Sequence, residues 1–165
     1  MTAQIPETLL LDGQAVAMMT NPLNEYLALG GPCPEFRSGC TALWRGYVGT
    51  WELRDERLYL IELTGTLSTG EPASLESVFP GFGQRVFAHW FSGTVRLPQG
   101  KRIQYMHMGY GSRFERDEWL SFQDGVLVDR RVVYNGVAPS GAVASYGPSA
   151  MTVFPARRDN PGETP

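Results

Sequence analysis

Two Asp-Gly pairs, Asp12-Gly13 and Asp124-Gly125, each lie between short runs of alternating apolar residues, in TLLLDGQAVAM and EWLSFQDGVLVDRRVVY. Both central residues of a type I′ turn need positive φ, which Asp tolerates and Gly adopts freely, and this turn matches the right-handed twist of paired strands. Each pair therefore predicts a tight antiparallel hairpin. In the second, Glu118 is expected to face Arg131.

Two further hairpins follow from the same reasoning. TALWRGYVGTWEL and LYLIELTGTL are rich in aromatic and β-branched residues and are divided by the charged turn RDER. With Asp55 and Glu56 at the tip, Arg54 faces Arg57, Trp51 faces Leu60, Gly49 faces Glu62 and Tyr47 faces Thr64. RVFAHWFSGTVRL and RIQYMHMGY flank Pro98-Gln99-Gly100-Lys101, a proline- and glycine-containing turn, which sets His107 opposite Ser92, Tyr105 opposite Thr94 and Gly109 opposite Trp90. One face of that hairpin reads Trp90, Ser92, Thr94, Tyr105, His107. The other, Phe87, Phe91, Val95, Met106 and Met108, is the expected core face.

Helix is sparse. NPLNEYLALGG has Asn21 as cap, Pro22 at the first helical position and Gly30 as terminator, and SLESVFPGFG opens with Ser74 as cap and stops at Pro80. Nineteen glycines and twelve prolines in 165 residues suit turns better than helices. Successive hairpins with short connections predict a mainly β protein: an antiparallel meander forming a bent sheet or barrel, with one or two short helices. Residues 1–154 are expected to form one domain, with a last strand at MTVF and a flexible tail over 155–165.

Charge and cysteine usage narrow the function classes. With fourteen basic and seventeen acidic residues the formal charge is -3, which supplies no field for a nucleic acid polymer. No segment approaches the length of a membrane span, and the expectation is a cytoplasmic protein without a membrane partner. Cys33 and Cys40 are the only cysteines and are expected to be reduced; their spacing and that of His89 and His107 match no common zinc pattern, so neither metal nor cofactor is expected.

The run GYVGTWEL resembles the glycine-x-tryptophan signature at the first strand of calycin barrels such as lipocalins and fatty-acid-binding proteins. That resemblance covers eight residues and implies a structural role at most for Trp51. The stretch from TALWRGYVGTWEL through VFAHWFSGTVRLPQGKRIQYMHMGYGS also resembles a small bacterial family of uncharacterised proteins, which implies a bacterial, intracellular setting and no particular chemistry.

Candidate site residues come from the hairpin faces. Arg45, Tyr47, Trp51 and Glu62 share a face on which Gly49 leaves open space. His89, alternating with Phe87 and Phe91, reads as a hydrogen-bonded core histidine. The loop GYGSRFERDE places Tyr110, Arg113 and Glu115 beside glycines, with Arg113 as the anion contact. The leading expectation is a non-enzymatic binding protein that holds a small planar or anionic ligand, for instance a nucleotide-like one, against Trp44, Arg45, Tyr47, Trp51, Trp90, Tyr105, His107, Tyr110 and Arg113. The same residues also read as an ordinary half-wet sheet face. Two alternatives stay open: a protein-protein interaction module, as an inhibitor or assembly protein, and a hydrolase-like enzyme with His107 as acid or base. An open meander leaves two edges, which makes a homo-oligomer a further expectation.

Overall fold

The computed structural model describes residues 2–142. Strands β1 (Glu7–Leu11) and β2 (Gln14–Met18) flank Asp12 and Gly13, whose φ angles of 52° and 81° are those the Asp-Gly pair predicts. Helix α1 (Leu23–Ala28) follows, and a long irregular segment leads to β3 (Tyr47–Arg54) and β4 (Arg57–Gly65). Next come α2 (Leu75–Val78) and the two-residue β5 (Val86–Phe87), then the long strands β6 (Gly93–Gln104), β7 (Arg113–Gln123) and β8 (Val126–Tyr134). The strands form one eight-stranded sheet in the order β2-β1-β3-β4-β8-β7-β6, with β5 on β4.

The sheet is mainly antiparallel, but β1 and β3 run parallel, joined through β2, α1 and the segment after it. It bends without closing into a barrel. Its end strands approach where Met19 N–H donates to Arg96 C=O at 2.8 Å, while β4 and β8 share only the pair Arg57↔Val126. Leu9, Met18, Trp51, Leu58, Leu60, Val95, Leu97 and Leu120 belong to one buried core. No helix among the described residues is long and apolar enough to cross a membrane.

Several predicted registers shift. Pro98-Gln99-Gly100-Lys101 does not turn the chain: β6 runs through it and pairs with β7, with Pro98 opposite Asp117 and register breaks between Gln99 and Gln104. β6 is an edge strand, where a missing N–H and a bulge are tolerated. His107 is thus not opposite Ser92, nor Tyr105 opposite Thr94, nor Gly109 opposite Trp90. Residues 105–112 form a loop instead, and Met106 and Met108 are exposed rather than core-facing.

In the β3–β4 hairpin the pairs Arg54↔Arg57 and Trp51↔Leu60 hold, but a bulge between Thr50 and Trp51 makes Ile61 an extra residue. Gly49 therefore faces Leu63 and Tyr47 faces Gly65. A second bulge, at Ser121/Phe122, sets Glu118 opposite Val132 rather than Arg131, and Arg130 reaches diagonally to pair with Glu118. Asn21 does not cap α1 with its side chain; Pro22 takes the cap position, while Gly30 follows the helix in the left-handed conformation expected of a terminator. Ser74 caps α2, its N–H donating to Ser77 Oγ at 3.0 Å. Cys33 and Cys40 are free thiols. The expected MTVF strand and the tail over 155–165 lie outside the described residues.

Candidate functional site

Four of the predicted site residues do converge, but on a residue of their own chain. Glu7, at the start of β1, is fully buried where the parallel β1–β3 pairing brings it over Gly49. Its Oε1 accepts from Arg45 Nε and from Gly49 N–H, each at 3.0 Å, and its Oε2 accepts from the Trp51 indole N–H at 2.7 Å. Arg45 also donates to the Ile5 carbonyl at 2.9 Å and lies 5.4 Å from the Tyr47 ring centroid. The open space expected above Gly49 is thus taken by the Glu7 carboxylate, and the bulge at Ile61 leaves Glu62 exposed and off this face.

Two tyrosines extend the network. Tyr47 donates to Asn24 Oδ1 at 2.5 Å and Tyr110 to Asn21 Oδ1 at 2.6 Å, which ties α1 and the 105–112 loop to the sheet. Burial raises the Glu7 pKa, against the opposing pull of Arg45, the Trp51 and Gly49 hydrogen bonds and the Arg45 hydrogen bond. Burial, with the Glu7 charge beside them, also pushes both phenols above the usual tyrosine range. The cluster is a saturated internal clamp, because its buried donors and acceptors already have partners.

The other predicted residues stand apart. Trp44 is 68% exposed, and its backbone N–H donates to Gln4 Oε1. Trp90 donates its indole N–H to the Pro22 carbonyl at 2.9 Å and stacks on Phe79 with centroids 5.5 Å apart, so it fastens α1 rather than facing a ligand. His89 is exposed, packed edge-on to Trp90 and not in the core. Tyr105 and His107 meet edge to face at 4.9 Å on the exposed loop, and Ser92 instead accepts the Asp124 N–H at 2.8 Å. Arg113 is exposed and opens β7 opposite Gln104. Glu115, rather than lining a loop site, accepts backbone N–H groups from Lys101 and Ala138, which lower its pKa.

A depression does exist, on the outer face of the β3–β4 hairpin. Trp51 and Leu60 point into the core, so their neighbours Glu52 and Ile61 point outward, and the bulge sets Ile61 into the floor. Leu75 of α2 forms one wall. Phe82 and Gly83 form the rim: Gly81 and Gly83 both have positive φ, and Phe82 between them is 64% exposed. The resulting open depression has a volume of 840 Å³.

Polar side chains make up much of its lining. Arg85 Nη2 lies 3.2 Å from Glu52 Oε1, and its guanidinium sits 5.3 Å from the Tyr59 ring centroid. Glu52 Oε1 is nevertheless buried and accepts no hydrogen bond from the described residues, the contact with Arg85 lacking hydrogen-bond geometry. Gln84, Ser74 and Glu76 complete the lining, and Glu76 holds the rim by accepting the Gly81 N–H at 3.1 Å. None of these was predicted as a site residue. The available signal was an aromatic residue between two glycines in PGFG.

Comparison with protein-family models, with curated proteins and with solved structures found no match.

Proposed function

We propose that this is a non-enzymatic binding protein and that the groove beneath Phe82 holds a small planar ligand whose edge carries an N–H donor beside an acceptor, as a nucleobase does. The observation that carries the reading is the Glu52–Arg85 ion pair, partly exposed on both side chains, set in a depression with an exposed aromatic rim. The Glu52 carboxylate, 25% exposed in its side chain, offers an acceptor to the ligand's N–H. Arg85, 42% exposed in its side chain, offers the matching donors, and Phe82 offers a ring face for stacking.

The charges favour a planar over an anionic ligand. Among the described residues Arg85 is the only cation of the lining, against Glu52 and Glu76. The volume lies within the range of small-molecule sites, roughly 300–1,000 Å³.

Titration of isotope-labelled protein with the common nucleobases and nucleosides, followed by amide chemical shifts, tests the reading. Saturable shifts at residues 52, 61 and 82–85, lost in Phe82→Ala, support it. Absence of saturable shifts with every member, or shifts unaffected by Phe82→Ala, overturns it.

A further inference from the structure

Among the described residues, strand β8 has one partnered edge. Its ladder with β7 runs to Tyr134, whereas its pairing with β4 is confined to Val126, next to which Leu127 N–H donates to Glu56 C=O of the β3–β4 turn. From residue 128 to 134 every residue is exposed, including Val128 at 60%, Val132 at 44% and Tyr134 at 77%. This stretch contains no proline. A free edge of this kind is a template for another strand.

The hydrogen-bond phase of that edge follows from the ladder. Asn135 N–H donates to Glu115 C=O at 2.8 Å, continuing the β7–β8 pairing one step past Arg116↔Tyr134. Alternation then turns the backbone groups of Arg130 and Val132 toward the open side.

We propose that this edge is a homodimer interface, in which two copies of β8 pair antiparallel across a twofold axis at Arg130. In that register Asp129 faces Arg131 of the second copy and Arg131 faces its Asp129, Val128 and Val132 face each other, and Arg130 meets Arg130 in an outward-facing backbone pair. The neighbouring twofold registers set Asp129 against Asp129 or Arg131 against Arg131, so charge selects this one. The Arg130 guanidinium is drawn away from the axis by Glu118 and Asp12 of its own chain. The β3–β4 turn at Leu127 ends the ladder and limits it to residues 128–132 of each copy.

Sedimentation of the full chain over a range of concentrations tests this. The expected result is a monomer–dimer equilibrium in which Asp129→Arg and Arg131→Asp each weaken association by at least about tenfold, while the double swap restores it. Both side chains are exposed, and unchanged circular dichroism checks that the variants fold. A monomer at all concentrations overturns the proposal, as does a dimer indifferent to the swaps. A monomeric full chain that dimerises when cut after residue 142 also overturns it, by assigning the edge to the chain's own C-terminal segment.

Discussion

The Glu7 carboxylate occupies the space that glycine leaves at position 49: a Cβ there would lie 2.6 Å from Glu7 Oε2 and 2.9 Å from Trp51 Nε1. Both are fully buried side chains and neither can retreat without breaking the hydrogen bond between them. Gly49→Ala is therefore expected to lose about 2–4 kcal/mol of stability, from overpacking and from a disturbed buried ion pair. Urea denaturation measures it. A loss within the ordinary scatter of surface substitutions, about 0.5 kcal/mol, would contradict the packing described.

Removing one partner of the Glu7–Arg45 pair leaves a buried charge without compensation. Glu7→Leu is expected to cost about 3–5 kcal/mol, whereas Glu7→Leu with Arg45→Leu recovers much of that loss because no orphan charge remains. A double-mutant cycle in urea reads the coupling directly. Additive losses would show that the two side chains do not act as a pair.

The raised Glu7 pKa has a pH signature. The folded state holds this proton more tightly than the unfolded chain does, so the contribution of Glu7 to stability is greatest below the unfolded carboxylate value. It declines as pH rises from there through the folded value and is flat beyond. Relative to Glu7→Gln, which cannot titrate, the wild-type protein is expected to lose stability over that rise. A wild-type curve that instead gains on the variant with rising pH would mean that Arg45 outweighs burial.

The β3–β4 turn carries a correctable strain. Asp55 and Glu56 have φ of 50° and 61°, and glutamate pays more than glycine for the left-handed region. Glu56 is exposed, and its carbonyl accepts the Leu127 N–H, a bond that glycine keeps. Glu56→Gly is expected to stabilise by about 0.5–1 kcal/mol after the added freedom of the unfolded chain is set against the relief of strain. Thermal denaturation checks the sign.

Local chemistry made some of this fold legible. Asp12-Gly13 and Asp124-Gly125 marked their turns because two adjacent positive-φ positions are satisfied by few residue pairs. Pro98 and Gly100 misled because the same residues suit a turn or a bulged edge strand, and only the presence of β7 beside β6 decides between them. The parallel β1–β3 pairing was illegible for a related reason: it joins segments far apart in sequence and leaves no local mark. Glu7 was missed with it, since nothing in ETLLL says that a strand-opening glutamate will be roofed by Arg45 and Trp51. Of the hairpin face grouped as Arg45, Tyr47, Trp51 and Glu62, the first three do lie together, with Tyr110 of the loop beside them, but Glu62 does not join them and what they surround is a carboxylate of the chain itself. The groove at Phe82 escaped notice because its acid and arginine come from separate strands, β3 and the approach to β5, while its shape depends on the Ile61 bulge.

The central claim, that the Phe82 groove is a ligand site, is tested most directly by native mass spectrometry of the protein gently purified from its own host beside Phe82→Ala and Glu52→Ala prepared in the same way. The account predicts a bound small-molecule mass on the wild-type chain that both substitutions remove. A wild-type chain carrying no added mass, or an added mass that persists in both variants, would contradict it.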